Sequence, residues 1–198
     1  NGITSNITET APMSSKPINH YCSTKILAEQ RVVSWQKETG LSVIVLRPQG
    51  LLGAYDPSFA PRICAQLEKG FFPLVNGGEA HVDMTHVENV AEAIFLALRS
   101  DKNELGIYNI TNGEPRPVRQ TIELFAERLN GKVNYVSIPA PVLFVAAKGL
   151  EFLARTTGGW EPPMTVYGLT VMGLERTLCI DAAKMDLGYR PLKTVEQA

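Results

Sequence analysis

The chain has 198 residues, 44% hydrophobic and 20% charged, with a formal net charge of −1. Those proportions suit one globular domain, or one domain and part of another, and exclude a low-complexity or disordered chain. The near-neutral charge gives no reason to expect nucleic acid or an anionic membrane as a partner.

Residues 1–16 are polar, rich in Ser, Thr and Asn, and read as a loop. A dinucleotide-binding fold opens on a strand and G-x-G-x-x-G, whose amides receive a pyrophosphate. The sixteen glycines here never form that pattern, and no alternation of strands and helices precedes residue 21. The expectation is therefore the C-terminal half of a longer protein, binding dinucleotide weakly by itself.

A helix is predicted over about 18–39, with Ile26, Leu27, Val32, Val33 and Trp35 as a buried stripe and Gly40 beyond its end. Tyr21 and Lys25 stand four apart in it and so share one face. A free phenol titrates near ~10 and a nearby fixed cation favours its ionised form, so such a pair can pass a proton to or from a substrate oxygen. By itself the spacing is common on solvated helix faces. Glu29, one turn further on, reads as a helix-face partner whose loss costs little.

Residues 41–46 are apolar and β-branched, the pattern of a buried parallel strand. Arg47-Pro48 ends it, followed by Gly50 and Gly53, which a plain turn would also explain. In open α/β sheets, however, ligands bind beyond the carboxyl ends of strands. A helix over 59–70, a strand over 71–75 and an Asn-Gly-Gly turn come next. A helix ending near Ser100 is predicted to be well buried, because Ala91, Ala93, Ile94, Leu96, Ala97 and Leu98 leave little polar face. Just before it, His86 reads as a structural histidine rather than a catalytic one. A strand over 106–111, a helix over 117–129 stopped by Gly131, and a strand over 132–138 follow. Residues 139–153 carry Lys148 and Glu151 and are too short to span a bilayer. They fit a core helix best, then a helix lining an apolar pocket, then a membrane-surface helix. Thr194 is placed to cap a last helical turn.

These landmarks together resemble a known family. Pro17, Tyr21, Thr24, Lys25 and Glu29 match the P-x-x-x-Y-x-x-S/T-K-x-x-x-E segment of the extended short-chain dehydrogenase/reductases. Leu46-Arg47-Pro48 through Gly53 is similar to its L-R-P-x-x-x-x-G. Asp83 with Val87-Glu88-Asn89-Val90-Ala91, and Gly106-Ile107-Tyr108-Asn109-Ile110, resemble the 3β-hydroxysteroid and sterol-4-carboxylate dehydrogenase branch. So do Glu161-Pro162-Pro163-Met164-Thr165, Arg176-Thr177, Asp181-Ala182-Ala183-Lys184 and Leu187-Gly188-Tyr189-Arg190-Pro191, with Met185 departing from the branch pattern.

The resemblance implies an α/β fold: the C-terminal part of a Rossmann-like doubly wound parallel sheet plus a small mixed α/β substrate-binding lobe. Residues 1–55 and 80–112 are expected in the first, 56–79 and 113–198 in the second. It implies Tyr21 as general acid/base, Lys25 as the group that lowers its pKa and bonds the nicotinamide ribose, and Pro48 and Leu51 as nicotinamide contacts. The cofactor is NAD or NADP. The family's upstream Ser/Thr would fall before Asn1, and Ser5 lies too close to Tyr21 to replace it. Sugar-nucleotide enzymes place an arginine where His81 stands, and a diphosphate clamp wants that fork. A secondary alcohol or ketone on an apolar or β-keto small molecule is thus the expected substrate. A sugar-nucleotide epimerase/dehydratase and a non-catalytic dinucleotide sensor are the alternatives. Cys22, Cys64 and Cys179, without CxxC spacing, suggest a reducing, cytoplasmic setting and no metal site. No signal peptide or membrane-spanning run is seen. The resemblance is compatible with a homodimer.

Overall fold

A computed structural model describes residues 4–57, 59–101, 104–129, 133–158, 160 and 162–198. Gly131, Lys132 and Glu161, which figure in the expected helix stop, strand start and proline motif, lie outside the described residues. The chain forms two compact units. The first comprises Asn1–Tyr55, Asp83–Glu114 and Thr177–Ala198, the second Asp56–Val82 and Pro115–Arg176.

In the first unit, α1 (His20–Thr39) starts at Asn19, whose side chain accepts from Cys22 N, and stops at Gly40 in the left-handed region. A tight connection leads to β1 (Val43–Pro48), and β2 (Leu51–Leu52) follows. The second unit begins with α2 (Phe59–Leu67), whose first amides, Phe59 N and Ala60 N, donate to the Asp56 carboxylate. It continues with β3 (Phe71–Val75), a 3-10 turn over 76–78 and β4 (His81–Val82). The first unit resumes with β5 (Thr85–His86), parallel to β2, then α3 (Val87–Leu98) and β6 (Leu105–Ile110), parallel to β1. The second is completed by β7 (Arg116–Pro117), antiparallel to β4, α4 (Val118–Arg128) and β8 (Asn134–Ile138), parallel to β3. Helices α5 (Ala140–Thr156) and α6 (Val166–Gly173) also belong to it. The last helix, α7 (Asp181–Leu187), returns to the first unit.

Burial departs from expectation in three helices and one strand. No residue of α1 is buried: Ile26, Val32 and Val33 are half-buried, and Leu27 and Trp35 exposed. In α3 only Asn89 and Ala93 are buried, while Ile94, Phe95 and Leu98 face out. β1 is half-buried rather than buried. The reason is width. Two paired strands about 4.8 Å apart offer a narrower floor than a helix about 10 Å across needs to cover a whole apolar stripe. The third helix, α5, buries only Leu143, Ala147 and Ala154, so the core-helix expectation for 139–153 holds for one face alone.

Residues 177–198, expected with the substrate lobe, pack in the first unit instead. Their apolar side chains explain this. Ile180, Ala183, Leu187 and Tyr189 form one core with Ala93, Tyr108 and Ile110. Polar ties reinforce it: Leu178 N donates to Asp83 at 2.6 Å, Tyr189 OH to Thr111 O at 3.0 Å, and Leu192 N and Lys193 N to Asn89 Oδ1. Gly188, φ +69°, turns the chain after α7 so that Tyr189 can reach inward. The second unit has its own core of Val75, Leu143, Ala147 and Leu169.

Candidate active site

Asn19 caps α1 so that its first two turns carry Tyr21 and Lys25 on one exposed face. Tyr21 is 57% exposed. The Lys25 ammonium stands 5.6 Å from the centre of its ring, within cation–π range. No carboxylate pairs with Lys25 among the described residues, so its charge is available to a ligand. Thr24 Oγ1 donates to Tyr21 O at 2.9 Å and is thereby spent on the helix backbone.

Glu29 fixes where this face lies. Its carboxylate takes two bonds from the Arg47 guanidinium, Nη2 to Oε1 at 2.5 Å and Nε to Oε2 at 3.0 Å. Arg47 Nη1 also donates to Glu9 O at 3.1 Å. Arg47 is the penultimate residue of β1, and the short link over 40–42 makes helix and strand run antiparallel. Tyr21, eight residues before Glu29, therefore lies about 12 Å along the helix axis past that joint, beyond the carboxyl end of β1.

Pro48 and Leu51 sit at the same strand end. Pro48 pairs in register with Ile110, and Leu51 with Thr85. Gly50, φ +59°, makes the turn between them, and a Cβ there would lie 2.7 Å from Asp83 O, so only glycine fits. Thr85 locks the turn by donating from N to Gly50 O at 2.8 Å and from Oγ1 to Gln49 O. The structure thus joins Tyr21 to Lys25 on α1, and Pro48 and Leu51 through the turn. Arg47 and Glu29 tie the two elements together. Sequence reasoning had both residues inside its motifs and missed that they pair, because spacing does not reveal a contact between a helix and the next strand.

The other polar landmarks are structural. His86 is buried and uses both ring nitrogens: Nδ1 accepts from Glu88 N at 3.1 Å, and Nε2 lies 3.3 Å from Gln197 O. Burial raises the Asp83 carboxyl above the usual range, while bonds from Leu178 N and Thr111 pull it back. His81 meets Glu175, whose Oε2 accepts from His81 N at 2.7 Å and lies 3.6 Å from its Nδ1. An open cleft of about 560 Å³ runs beside Glu9, Met13, Glu29, Gln30, Arg47 and Ile107. Its wall includes neither Tyr21 nor Lys25, and its guanidinium is engaged, so the chemistry is placed on the exposed face instead. Among the described residues no group of His, Cys, Asp and Glu could hold a metal ion, and no helix is long and apolar enough to cross a membrane.

Residues 2–111 match the model of the NAD dependent epimerase/dehydratase family. The chain is 39% identical over 157 residues to uncharacterized protein YbjS of Escherichia coli (strain K12), covering 77% of this chain and 46% of that one. It is 29% identical over 202 residues to the sterol-4-alpha-carboxylate 3-dehydrogenase, decarboxylating, of Mus musculus, covering 98% and 56%. Among solved structures, that of gox2253 superposes with a TM-score of 0.71 at 26% identity, over 97% of this chain and 58% of that one. The chain therefore spans about half the length of the curated relatives it matches.

Proposed function

The chain belongs to the NAD dependent epimerase/dehydratase family, and from that premise we propose that the protein is an NAD(P)-dependent oxidoreductase interconverting a secondary hydroxyl and a ketone on an apolar or β-keto substrate. The observation that carries this is the exposed Tyr21/Lys25 pair beyond the carboxyl end of β1, with the lysine charge unspent. The donor set fits a nicotinamide ribose: a phenol, a free ammonium, and the backbone of a tight turn at Pro48 to Leu51.

In this reading the first unit is the remainder of a dinucleotide-binding domain and the second contributes to substrate binding, in a cytoplasmic protein. A bound NAD or NADP supplies or accepts the hydride. Tyr21 gives a proton to the carbonyl oxygen in reduction and takes it from the hydroxyl in oxidation. Lys25 holds a fixed positive charge beside the phenol and donates to the ribose hydroxyls. Pro48 and Leu51 offer the edge on which the nicotinamide rests. Glu29 and Arg47 hold α1 in place so that Tyr21 stays at the strand end.

The substrate class is supported by the likeness to the sterol dehydrogenase of Mus musculus and by the surroundings of His81. A clamp for a sugar nucleotide needs positive charge at that place, and here the Glu175 carboxylate occupies it. The test is a screen of the full-length protein with steroid and β-hydroxy acyl substrates beside UDP-glucose and dTDP-sugars. Turnover confined to the sugar nucleotides overturns the substrate class. Tyr21→Phe is expected to lower kcat by about 10²–10⁴-fold with KM little changed, the range for one lost acid/base group. Near wild-type turnover in that variant overturns the mechanism.

A further inference from the structure

One bulky residue is held in a backbone conformation that suits glycine. Among the described residues three non-glycines have positive φ: Asn6 at +52°, Asn76 at +46° and Tyr55 at +67°. Asparagine enters the left-handed region because its short amide can bond the local backbone. Tyrosine has no such compensation, and its Cβ crowds the carbonyl oxygen. Strain of this kind persists where neighbours over-determine the backbone. Gly53, two residues earlier, lies tight against α3, where a Cβ would stand 2.5 Å from Val87 Cγ1. Asp56, the next residue, is held by the amides of Phe59 and Ala60. Tyr55 is pinned between the two.

Nothing within the chain repays the strain. Tyr55 is 101% exposed, so its ring packs on no neighbour. Glycine already stands at 50 and 53, and at 55 it would adopt the same φ without the clash. A side chain that strains the backbone and stabilises nothing in the fold points to a ligand. Its position tells which part of one. Leu51, 48% exposed, lies at the strand end assigned above to the nicotinamide, and four residues of chain reach at most about 14 Å. Tyr55 is therefore just past that edge. The charge next to it is the Asp56 carboxylate, which disfavours a phosphate of the cofactor. A tyrosine ring offers a broad apolar face and loses few torsions when covered, and its hydroxyl stays in water while the site is empty.

We propose that Tyr55 is a specificity-determining residue, whose ring carries the apolar body of the substrate, a fused-ring or long-chain alcohol or ketone. This rests on the proposed reaction and names the part of the site that selects its substrate.

The test is steady-state kinetics of the full-length protein. The probes are dehydroepiandrosterone and 3-hydroxydodecanoate as large apolar alcohols, and 3-hydroxybutyrate as a small one. Tyr55→Gly is expected to raise KM for the large alcohol that is turned over by about 30-fold, the effect of about 80 Å² of ring face left uncovered. Loss of uniform binding leaves kcat in place. The preference for large over small should fall by the same factor, and Tyr55→Phe, which keeps the ring, should restore it. The denaturation midpoint of Tyr55→Gly should not fall, because glycine relieves the backbone. An unchanged KM, an equal loss on 3-hydroxybutyrate, or a lowered midpoint overturns the proposal and leaves the reaction standing, with Tyr21→Phe still losing kcat on large and small substrates alike. Turnover of neither large alcohol by the wild type removes the apolar substrate, and the proposal with it.

Discussion

Glu29→Gln is expected to loosen the joint that places Tyr21. The carboxylate accepts two bonds from one guanidinium, and the side chains of Glu29 and Arg47 are 13% and 25% exposed. An exposed ion pair contributes about 0.2–1 kcal/mol, whereas removing one partner of a buried pair costs about 3–5 kcal/mol. This pair lies between those limits, nearer the buried one in exposure and helped by its two-bond geometry. Glutamine keeps one acceptor but turns an amide donor toward a guanidinium that has only donors. A loss of about 2 kcal/mol is the balance of these terms. In a chain of this size that corresponds to a fall in Tm of about 4–8 °C. Urea denaturation of Glu29→Gln, Arg47→Met and the double variant gives the cycle. A coupling of about 1–2 kcal/mol is expected between residues in contact. Additive single effects, or a Glu29→Gln loss under about 0.5 kcal/mol, would refute the reasoning and return Glu29 to a helix-face role.

Lys25→Met should lower both kcat and cofactor affinity, since it removes the cation 5.6 Å from the Tyr21 ring and, in the proposed role, the donor to the ribose; unchanged cofactor Kd in a titration of the full-length variant contradicts the ribose role. Burial pushes the Tyr189 phenol well above its ordinary value. A phenol raised in the fold contributes stability that is whole below the unfolded pKa near ~10 and is lost as pH climbs beyond it, because the unfolded chain ionises first. Tyr189→Phe should therefore cost about 1–2 kcal/mol at neutral pH, from the lost bond to Thr111 O, and flatten the decline above pH ~10. Denaturation midpoints at pH 8 and above pH ~10 measure both, and an unaltered alkaline slope counts against it.

Long periodic elements were legible in the sequence: α1, β1, β3, α4, α5 and β6 lie within a few residues of their predicted places. Two-residue strands were not, because β2, β4, β5 and β7 are defined by partners elsewhere in the chain and carry no pattern of their own. Helix α6 also went unread. Its two glycines, Gly168 and Gly173, mask it, although Thr165, whose side chain accepts from Gly168 N, is an N-cap signal that points to it. Burial was misjudged where apolar content stood in for contact, as at Leu98 and Phe152, both largely exposed. Of the candidate site, the Tyr21/Lys25 face and the turn at Gly50 were visible as local spacing. The Glu29–Arg47 tie needs the helix laid on its strand before it appears.

Tyr21 and Tyr189 show why a family resemblance and a mechanism are separate inferences. Both belong to motifs that carry the resemblance. Tyr189 is 0% exposed, and its neighbours in that role, Asp83, Asn89 and Tyr108, are 2%, 0% and 2% exposed. Each of the four ties distant segments: Tyr108 OH donates to Asp186, Asn89 holds the backbone of Leu192 and Lys193, and Asp83 holds Leu178. Their chemistry is consumed by the fold. Tyr21 is more than half exposed and has the Lys25 ammonium 5.6 Å from its ring centre, so it stands on a solvent-facing surface and not in the core. The same substitution, Tyr→Phe, should then give opposite signatures. At position 189 stability falls while turnover of the folded protein is kept. At position 21 turnover falls while the denaturation midpoint is kept. A Tyr21→Phe protein that loses stability as Tyr189→Phe does, with kcat intact once folded, would place Tyr21 among the structural landmarks and leave the proton without a carrier.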